Sequence, residues 1–160
     1  MVSNSGQTAD AAALKNQLIG ALIGLARATE GNEHMITDST AHTLEEGLLA
    51  VSNAENLDAD ALLAMTKKVS AEKQKLVPEC FRCACPCGRT FDYDMESLQN
   101  APEPIRNLKL RILACCSAAA GQREGISPLL YRALYSVGMD DWDEAELLPV
   151  CQELEDAIRT

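Results

Sequence analysis

The sequence predicts an all-α protein made of two tandem three-helix bundles, an internal duplication, joined by a Cys-rich loop. Aromatic residues make up 4% of the chain and Leu and Ala are frequent, which favours helices packed by aliphatic side chains over a β-sandwich or barrel. Apolar residues recur at helical spacing in six segments. Three of these segments match the other three in order, which indicates a repeat.

The first helix is expected to run from the cap residue Asp10 to about residue 28, behind a flexible terminus. Its apolar residues cover most of the circumference: Leu14, Leu18, Ile19, Leu22, Ile23 and Leu25. Such a helix packs on several sides, so we expect it at the centre of the fold. Gly20 and Gly24 have the spacing that lets a neighbouring helix approach closely.

Two further helices complete the first repeat. One is predicted to extend to about Asn53, with Asp38 or Ser39 as its N-cap. The next begins at the cap residue Asp58 and ends before Pro78, because proline cannot continue a helix.

The second repeat is predicted to contain three helices of the same kind. The first begins near Pro102 and ends at about Ala120. A second starts at Ser127 and ends before Gly138, and the last opens at Asp143.

Matching positions in the two repeats support the duplication. The aligned segments are Leu14-Lys15 with Leu108-Lys109, Leu44-Gly47-Leu48-Val51 with Leu130-Ala133-Leu134-Val137, and residues 56–63 with 141–148. In each copy an apolar residue precedes an Asp cap, as in a hydrophobic staple. The expected organisation is a flexible N-terminus, a first repeat, a Cys-rich connecting loop and a second repeat at residues 1–9, 10–77, 78–101 and 102–160.

The net charge and the search for targeting signals limit the partners and the cellular compartment that we expect. The net charge is −10, which disfavours nucleic acid and anionic membranes as partners. No secretory signal pattern is present, and the apolar run Leu18–Ala26 is too short to span a bilayer. We therefore expect a cytoplasmic protein, in a reducing compartment where structural disulfides are rare.

Four of the seven cysteines form the strongest chemical motif of the chain. Cys80, Cys83, Cys85 and Cys87 make a C-x2-C-x-C-x-C pattern, with Pro86 and Gly88 supporting tight turns. Residues 67–89 hold six basic and two acidic side chains, and nearby positive charge favours thiolate over thiol. Clustered cysteines in a reducing compartment indicate metal or redox chemistry.

The spacing leaves several ligand sets open, because it matches neither the paired zinc pattern nor the bacterial ferredoxin pattern. The four thiolates could bind one [4Fe–4S] cluster, with zinc as the alternative. A distal fourth ligand could also come from Cys115, Cys116 or Cys151, although each of these is more typical of a small buried apolar residue.

No second site is predicted. His34 and His42 are interpreted as parts of a solvated polar connection, because nothing fixes their spacing for a metal. No phosphate-binding loop, dinucleotide glycine pattern or nucleophile elbow occurs, and no catalytic residue is predicted.

Three segments carry a resemblance to a known family: residues 14–26, the Leu-rich second helix and the helix led by Asp58. Together they resemble the helical domain of hybrid-cluster (prismane) proteins, known as hydroxylamine reductases. The resemblance to carbon monoxide dehydrogenases is more distant. The resemblance implies two three-helix bundles and a cysteine-bound iron–sulfur cluster, to which the four clustered cysteines are similar in kind. That family holds its hybrid cluster in large α/β domains. We therefore do not expect this chain alone to be a reductase.

Two functions follow as expectations. The first is a metal-binding or iron–sulfur protein that serves as an electron-transfer or accessory partner of a redox enzyme. The alternative is a metal-free interaction module with redox-sensitive or disulfide-forming cysteines. Its docking face would be the C-terminal helix, since residues 140–159 hold eight acidic side chains and one basic side chain.

Overall fold

The computed structural model describes residues 2–29, 34, 36–76, 93, 95–120, 127–139 and 141–159. Every regular element in these ranges is helical, which confirms the all-α prediction. The α-helices are α1 (Val2–Thr29), α2 (Asp38–Ser52), α3 (Ala59–Leu76), α4 (Met95–Gln99), α5 (Glu103–Ala120), α6 (Ser127–Val137) and α7 (Glu144–Arg159), with a 3-10 turn at Ala54–Asn56.

Two elements differ from the sequence-based expectation. Helix α1 begins at Val2 rather than at Asp10, so the segment expected as a flexible terminus is helical from its second residue. Once a helix is nucleated, each added residue gains a hydrogen bond, and no proline stops this extension. The short helix α4 lies within the predicted 78–101 connection. Five residues carry too little periodicity to be found by pattern alone.

The helix starts are stabilised by side-chain caps. Asp58 accepts a hydrogen bond from the Ala61 N–H at 2.8 Å, and Asp143 accepts one from the Glu146 N–H at 3.1 Å, as predicted. The prediction of Asp38 or Ser39 as the cap of α2 is wrong, because Thr37 caps that helix. Thr37 and Thr40 each accept the other's backbone N–H, and this reciprocal pair starts the helix one residue earlier.

Helix α1 is the central element, as predicted. It packs most extensively against α3, and it also contacts α2, α4 and α6. Leu18, Leu22 and Leu25 are at most 1% exposed. A helix buried on several sides needs apolar residues around most of its circumference, which is the pattern of this segment.

The other contacts connect the two halves of the chain. Within the second half, α5 packs mainly on α7, and α6 contacts both. Between the halves, α1 packs on α6 and α2 packs on α5, with a smaller contact between α2 and α6. The two halves therefore share one core. Among the described helices, none is both long and apolar enough to cross a membrane.

Gly20 allows a close approach, although not by a helix as its spacing suggested. The backbone of Tyr93 lies against it, and the Tyr93 N–H donates a hydrogen bond to the Gly20 carbonyl oxygen at 3.1 Å. A Cβ at this position would overlap the Tyr93 carbonyl oxygen. Only glycine leaves room for this contact.

We predict that Gly20→Ala lowers the free energy of unfolding by about 1–2 kcal/mol, because the overlap with backbone outweighs the gain in helix propensity. Urea denaturation measures the change. Gly47→Ala is the comparison for crowding by a side chain, since a Cβ there would lie 2.6 Å from Cδ2 of the buried Leu22 side chain and not against backbone. Unchanged stability of the Gly20 variant would contradict the role assigned to the Tyr93 contact.

Candidate functional site

The predicted metal ligands Cys80, Cys83, Cys85 and Cys87 lie outside the described residues. The structure instead defines the two places where their segment joins the core. One is the last turn of α3, which ends at Leu76, and the other is Tyr93. We call residues 77–92 the cysteine segment. Its two flanks are the parts of the candidate site whose contacts the structure describes.

The flank at α3 is attached to α2 by a buried carboxylate. Glu72 is 5% exposed and accepts hydrogen bonds from Ser39 Oγ at 2.9 Å and from Thr40 Oγ1 at 3.2 Å. Lys75 Nζ donates a third hydrogen bond at 2.9 Å. Leu76, the final residue of α3, is also buried. These contacts hold the last turn of α3 against the first turn of α2.

The Glu72 carboxyl is ionised in this environment. Burial alone would raise its pKa, but the hydrogen bonds from Lys75, Ser39 and Thr40 and the charge of Lys75 together hold the pKa below its usual value. The charged form is the one that accepts these bonds. The attachment of α3 to α2 therefore depends on the ionised carboxylate.

The other flank is attached to α1 and α5 through Tyr93. Its backbone binds Gly20 of α1, and its side chain is buried. Lys109 of α5 places its Nζ 5.4 Å from the centre of the Tyr93 ring, within the range of a cation–π interaction. The same Nζ donates a hydrogen bond to the Met139 carbonyl oxygen at 3.3 Å. One ammonium group thus joins three parts of the chain.

Lys109 is 1% exposed, and its contacts with Tyr93 and Met139 were not predicted from the sequence. The signal was present, because this lysine lies between Ile105, Leu108 and Ile112 on the inner face of α5. A lysine within an apolar helical stripe is costly to bury unless its ammonium finds partners. Such a position therefore indicates a specific tertiary contact.

Both elements that flank the cysteine segment contact α1. Helix α3, taken as a whole, has its largest contact with α1, and Tyr93 lies on Gly20 of the same helix. A cavity of about 490 Å³ lies beside this second flank. It is lined by Ala13, Asn16 and Gln17 of α1 and by Tyr93, Met95, Glu96 and Gln99. Its lining combines amide and carboxylate groups with the apolar side chains of Ala13 and Met95, next to the Tyr93 flank.

The three remaining cysteines are free thiols in or near the core of the second half. Cys116 and Cys151 are fully buried, as expected for small packing residues, and Cys115 is partly buried. Burial raises the pKa of all three thiols, with the largest shift at Cys116. They are protonated at neutral pH, which is unfavourable for a nucleophile.

The described residues contain no group of three or more His, Cys, Asp or Glu side chains arranged to hold a metal ion. His34 is exposed. The His42 Nε2 atom lies 3.1 Å from Glu46 Oε1, and that oxygen also accepts a 2.6 Å hydrogen bond from Lys68 Nζ. Both histidines are exposed, although His42 lies within α2 rather than in a connection.

Comparison with known proteins gives no relative. No family model matches the chain, and neither the curated proteins nor the solved structures contain a match.

We predict that Lys109→Met destabilises the protein by about 1–3 kcal/mol, because the charged hydrogen bond to the partly buried Met139 carbonyl and the contact with the Tyr93 ring are both lost. The Tyr93 amide should then exchange its hydrogen faster. Native-state hydrogen exchange and urea denaturation measure these effects. The control is Lys15→Met on α1, the position aligned with Lys109. Unchanged exchange at Tyr93 in the Lys109 variant would contradict the role assigned to this contact.

The lowered pKa of Glu72 predicts that the protein loses stability as the pH falls through that pKa. Because its native pKa is lowered, its contribution to stability is complete above the ordinary glutamate pKa of about 4.3 and is lost as pH falls through the native pKa. The stability difference between wild type and Glu72→Gln should therefore be largest at pH 7 and shrink below about pH 4. Urea denaturation across this range tests it. Glu153→Gln, which breaks an exposed ion pair with Arg132, should show a much smaller difference.

Proposed function

We propose that Cys80, Cys83, Cys85 and Cys87 bind an iron–sulfur cluster or another metal ion, and that the helices are the scaffold for this centre. The protein would act as an electron-transfer or accessory partner of a redox enzyme in the cytoplasm. One observation carries the proposal: four cysteines occur within eight residues, on a segment whose two flanks are attached to the core. Four closely spaced thiolates are a ligand set that iron–sulfur clusters and zinc both use.

The attachment of the flanks supports binding energetically. A free segment loses conformational entropy when its cysteines converge on one ion. Here α3 and Tyr93 both pack on α1, so folding has already restricted the ends of the segment. Part of the entropic cost of closing the ligand loop is thus met before the metal binds.

Local charge supports the same chemistry. Lys73 and Lys75 lie in the last turn of α3, and Arg82 and Arg89 lie among or beside the cysteines. Positive charge stabilises thiolates, which are the form that binds metal. In a chain with a net charge of −10, this basic segment is a local exception.

We also propose that the scaffold arose by duplication of a three-helix unit. Several aligned positions have matching burial in the two halves, although Lys15 and Lys109 differ. Fully buried pairs are Leu44 with Leu130, Leu62 with Leu147, and Val69 with Leu154. The exposed pair Leu63 and Leu148 also matches, at 38% and 40% exposure. Equal exposure of two large apolar residues is difficult to explain by amphipathic patterning alone, because that pattern would bury them.

The helix contacts support the duplication independently. If the halves are exchanged, the contact of α1 with α6 becomes the contact of α5 with α2, and both are present. The contact between α2 and α6 is converted into itself. The strongest contact within each half joins its first and third helices. This is the pattern of a pseudo-twofold axis between two similar units.

The resemblance to the helical domain of hybrid-cluster proteins is consistent with both proposals, because that domain has two three-helix bundles and its family binds an iron–sulfur cluster through cysteines. The resemblance rests on helix patterns in residues 14–26 and in the two helices that follow. It adds no catalytic residue to this chain.

One observation favours the alternative, a metal-free interaction module. Leu148 is 40% exposed on α7, and the exposed Glu144 lies one helical turn before it. An apolar side chain next to an acidic one is suited to a basic protein surface. In this alternative the clustered cysteines would be thiols or disulfides.

Metal analysis of protein purified without oxygen distinguishes the two functions. The proposal predicts bound metal, with visible absorption and acid-labile sulfide if the metal is an iron–sulfur cluster. Ser substitutions at Cys80, Cys83, Cys85 and Cys87 should each reduce the metal content. Cys115→Ser, outside the cluster, is the matched control and should leave the metal content unchanged. Metal-free wild-type protein whose stability is unchanged by Cys83→Ser would refute metal binding.

Mass spectrometry tests the alternative directly. A metal-bound protein has a larger mass under native conditions than after denaturation without reductant. A disulfide-containing protein instead gains two hydrogens per bond on reduction. An increase on reduction with no loss on denaturation would favour the interaction module.

A further inference from the structure

A buried tyrosine on α6, the helix that packs on α1 and α2, is the starting point. The Tyr131 side chain of α6 is 8% exposed, and its hydroxyl has no hydrogen-bond partner among the described residues. It is the one buried side-chain oxygen or nitrogen of the described residues in this condition. Burying a hydroxyl without a hydrogen bond is unfavourable, so such a group calls for a specific explanation.

Carboxylates of two other helices, Glu72 of α3 and Glu45 of α2, act on Tyr131. Helix α2 packs on α3 and α6, and at the contact with α3 the Thr40 hydroxyl binds the buried Glu72 carboxylate. Burial raises the pKa of Tyr131, and the nearby charges of Glu72 and Glu45 raise it further. The phenol therefore stays protonated at neutral pH. It has one hydrogen to donate and lone pairs to accept.

The fold itself does not require these polar groups. In the proposed alignment of the two halves, Glu72 of α3 corresponds to Ala157 of α7, and Lys73 corresponds to Ile158. The same packing position is thus filled by apolar residues in the other half. Polar residues retained in a core despite their cost indicate a function beyond packing.

The chemistry of the groups limits what could bind. A guest must accept a hydrogen bond from the protonated phenol, and it must tolerate the negative field of the carboxylates. A hydroxyl group meets both conditions, because its oxygen accepts from the phenol while its hydrogen points to a carboxylate. An anion would be repelled.

We propose that Tyr131 Oη is part of a buried binding site between α2, α3 and α6 that holds one hydroxyl-bearing molecule, either a water molecule or a small alcohol. A buried water in a folded protein makes two to four such hydrogen bonds. The proposal does not depend on metal binding by the cysteine segment.

The test uses the whole protein and begins with the wild type. Water–protein NOE measurements on protein with labelled tyrosine rings should detect a long-lived water next to Tyr131. Native mass spectrometry should instead detect a retained small molecule if the guest is an alcohol. Either signal supports the site, and the two arms identify the source of the hydroxyl.

Variants separate the two cases, because the urea midpoint of Tyr131→Phe should change in opposite directions with and without a bound guest. Tyr131→Phe should abolish the guest signal and lower the urea midpoint, because the hydrogen bond to the guest is lost. Tyr135→Phe on the same helix should keep the signal. If the hydroxyl is simply unpaired, Tyr131→Phe should raise the midpoint, since it removes an unsatisfied buried group. Absence of both guest signals in wild-type protein would overturn the proposal, whatever the variant does.

Discussion

Burial of α1 on several sides is the constraint on which the rest of the structure depends. Leu18, Leu22 and Leu25 are almost completely removed from water because α2, α3 and α6 cover different sides of the helix. No single neighbouring helix could cover an apolar surface of that width. The second half of the chain must therefore pack on the first, and the halves share one core.

The candidate site is coupled to this core. Helix α3 precedes the cysteine segment and Tyr93 follows it, and both contact α1. Gly20 provides the space for Tyr93, and Lys109 holds the ring from the side of α5. The packing of α1 therefore contributes to the positions of both elements that flank the segment.

Among the polar side chains buried in the otherwise aliphatic interior, Glu72, Lys109 and Tyr131 differ in how their polar atoms are accommodated. Glu72 and Lys109 have charged hydrogen bonds that connect segments distant in sequence. Tyr131 has a hydroxyl that finds no partner among the described residues. The first two show how a buried charge is accommodated, by binding several groups at once. The third marks the position where the described structure alone does not complete the hydrogen bonding.

The helical class, the six long helices and the Asp58 and Asp143 caps were predictable from the sequence, because periodicity and capping depend on residues within a few positions of each other. Metal binding by the four clustered cysteines stays a prediction, since they lie outside the described residues. The packing of the helices was needed to show that Gly20 faces Tyr93, that Glu72 binds the start of α2, and that Lys109 reaches Met139. Those contacts join residues about thirty or more positions apart, so their partners depend on how the helices pack and not on local pattern.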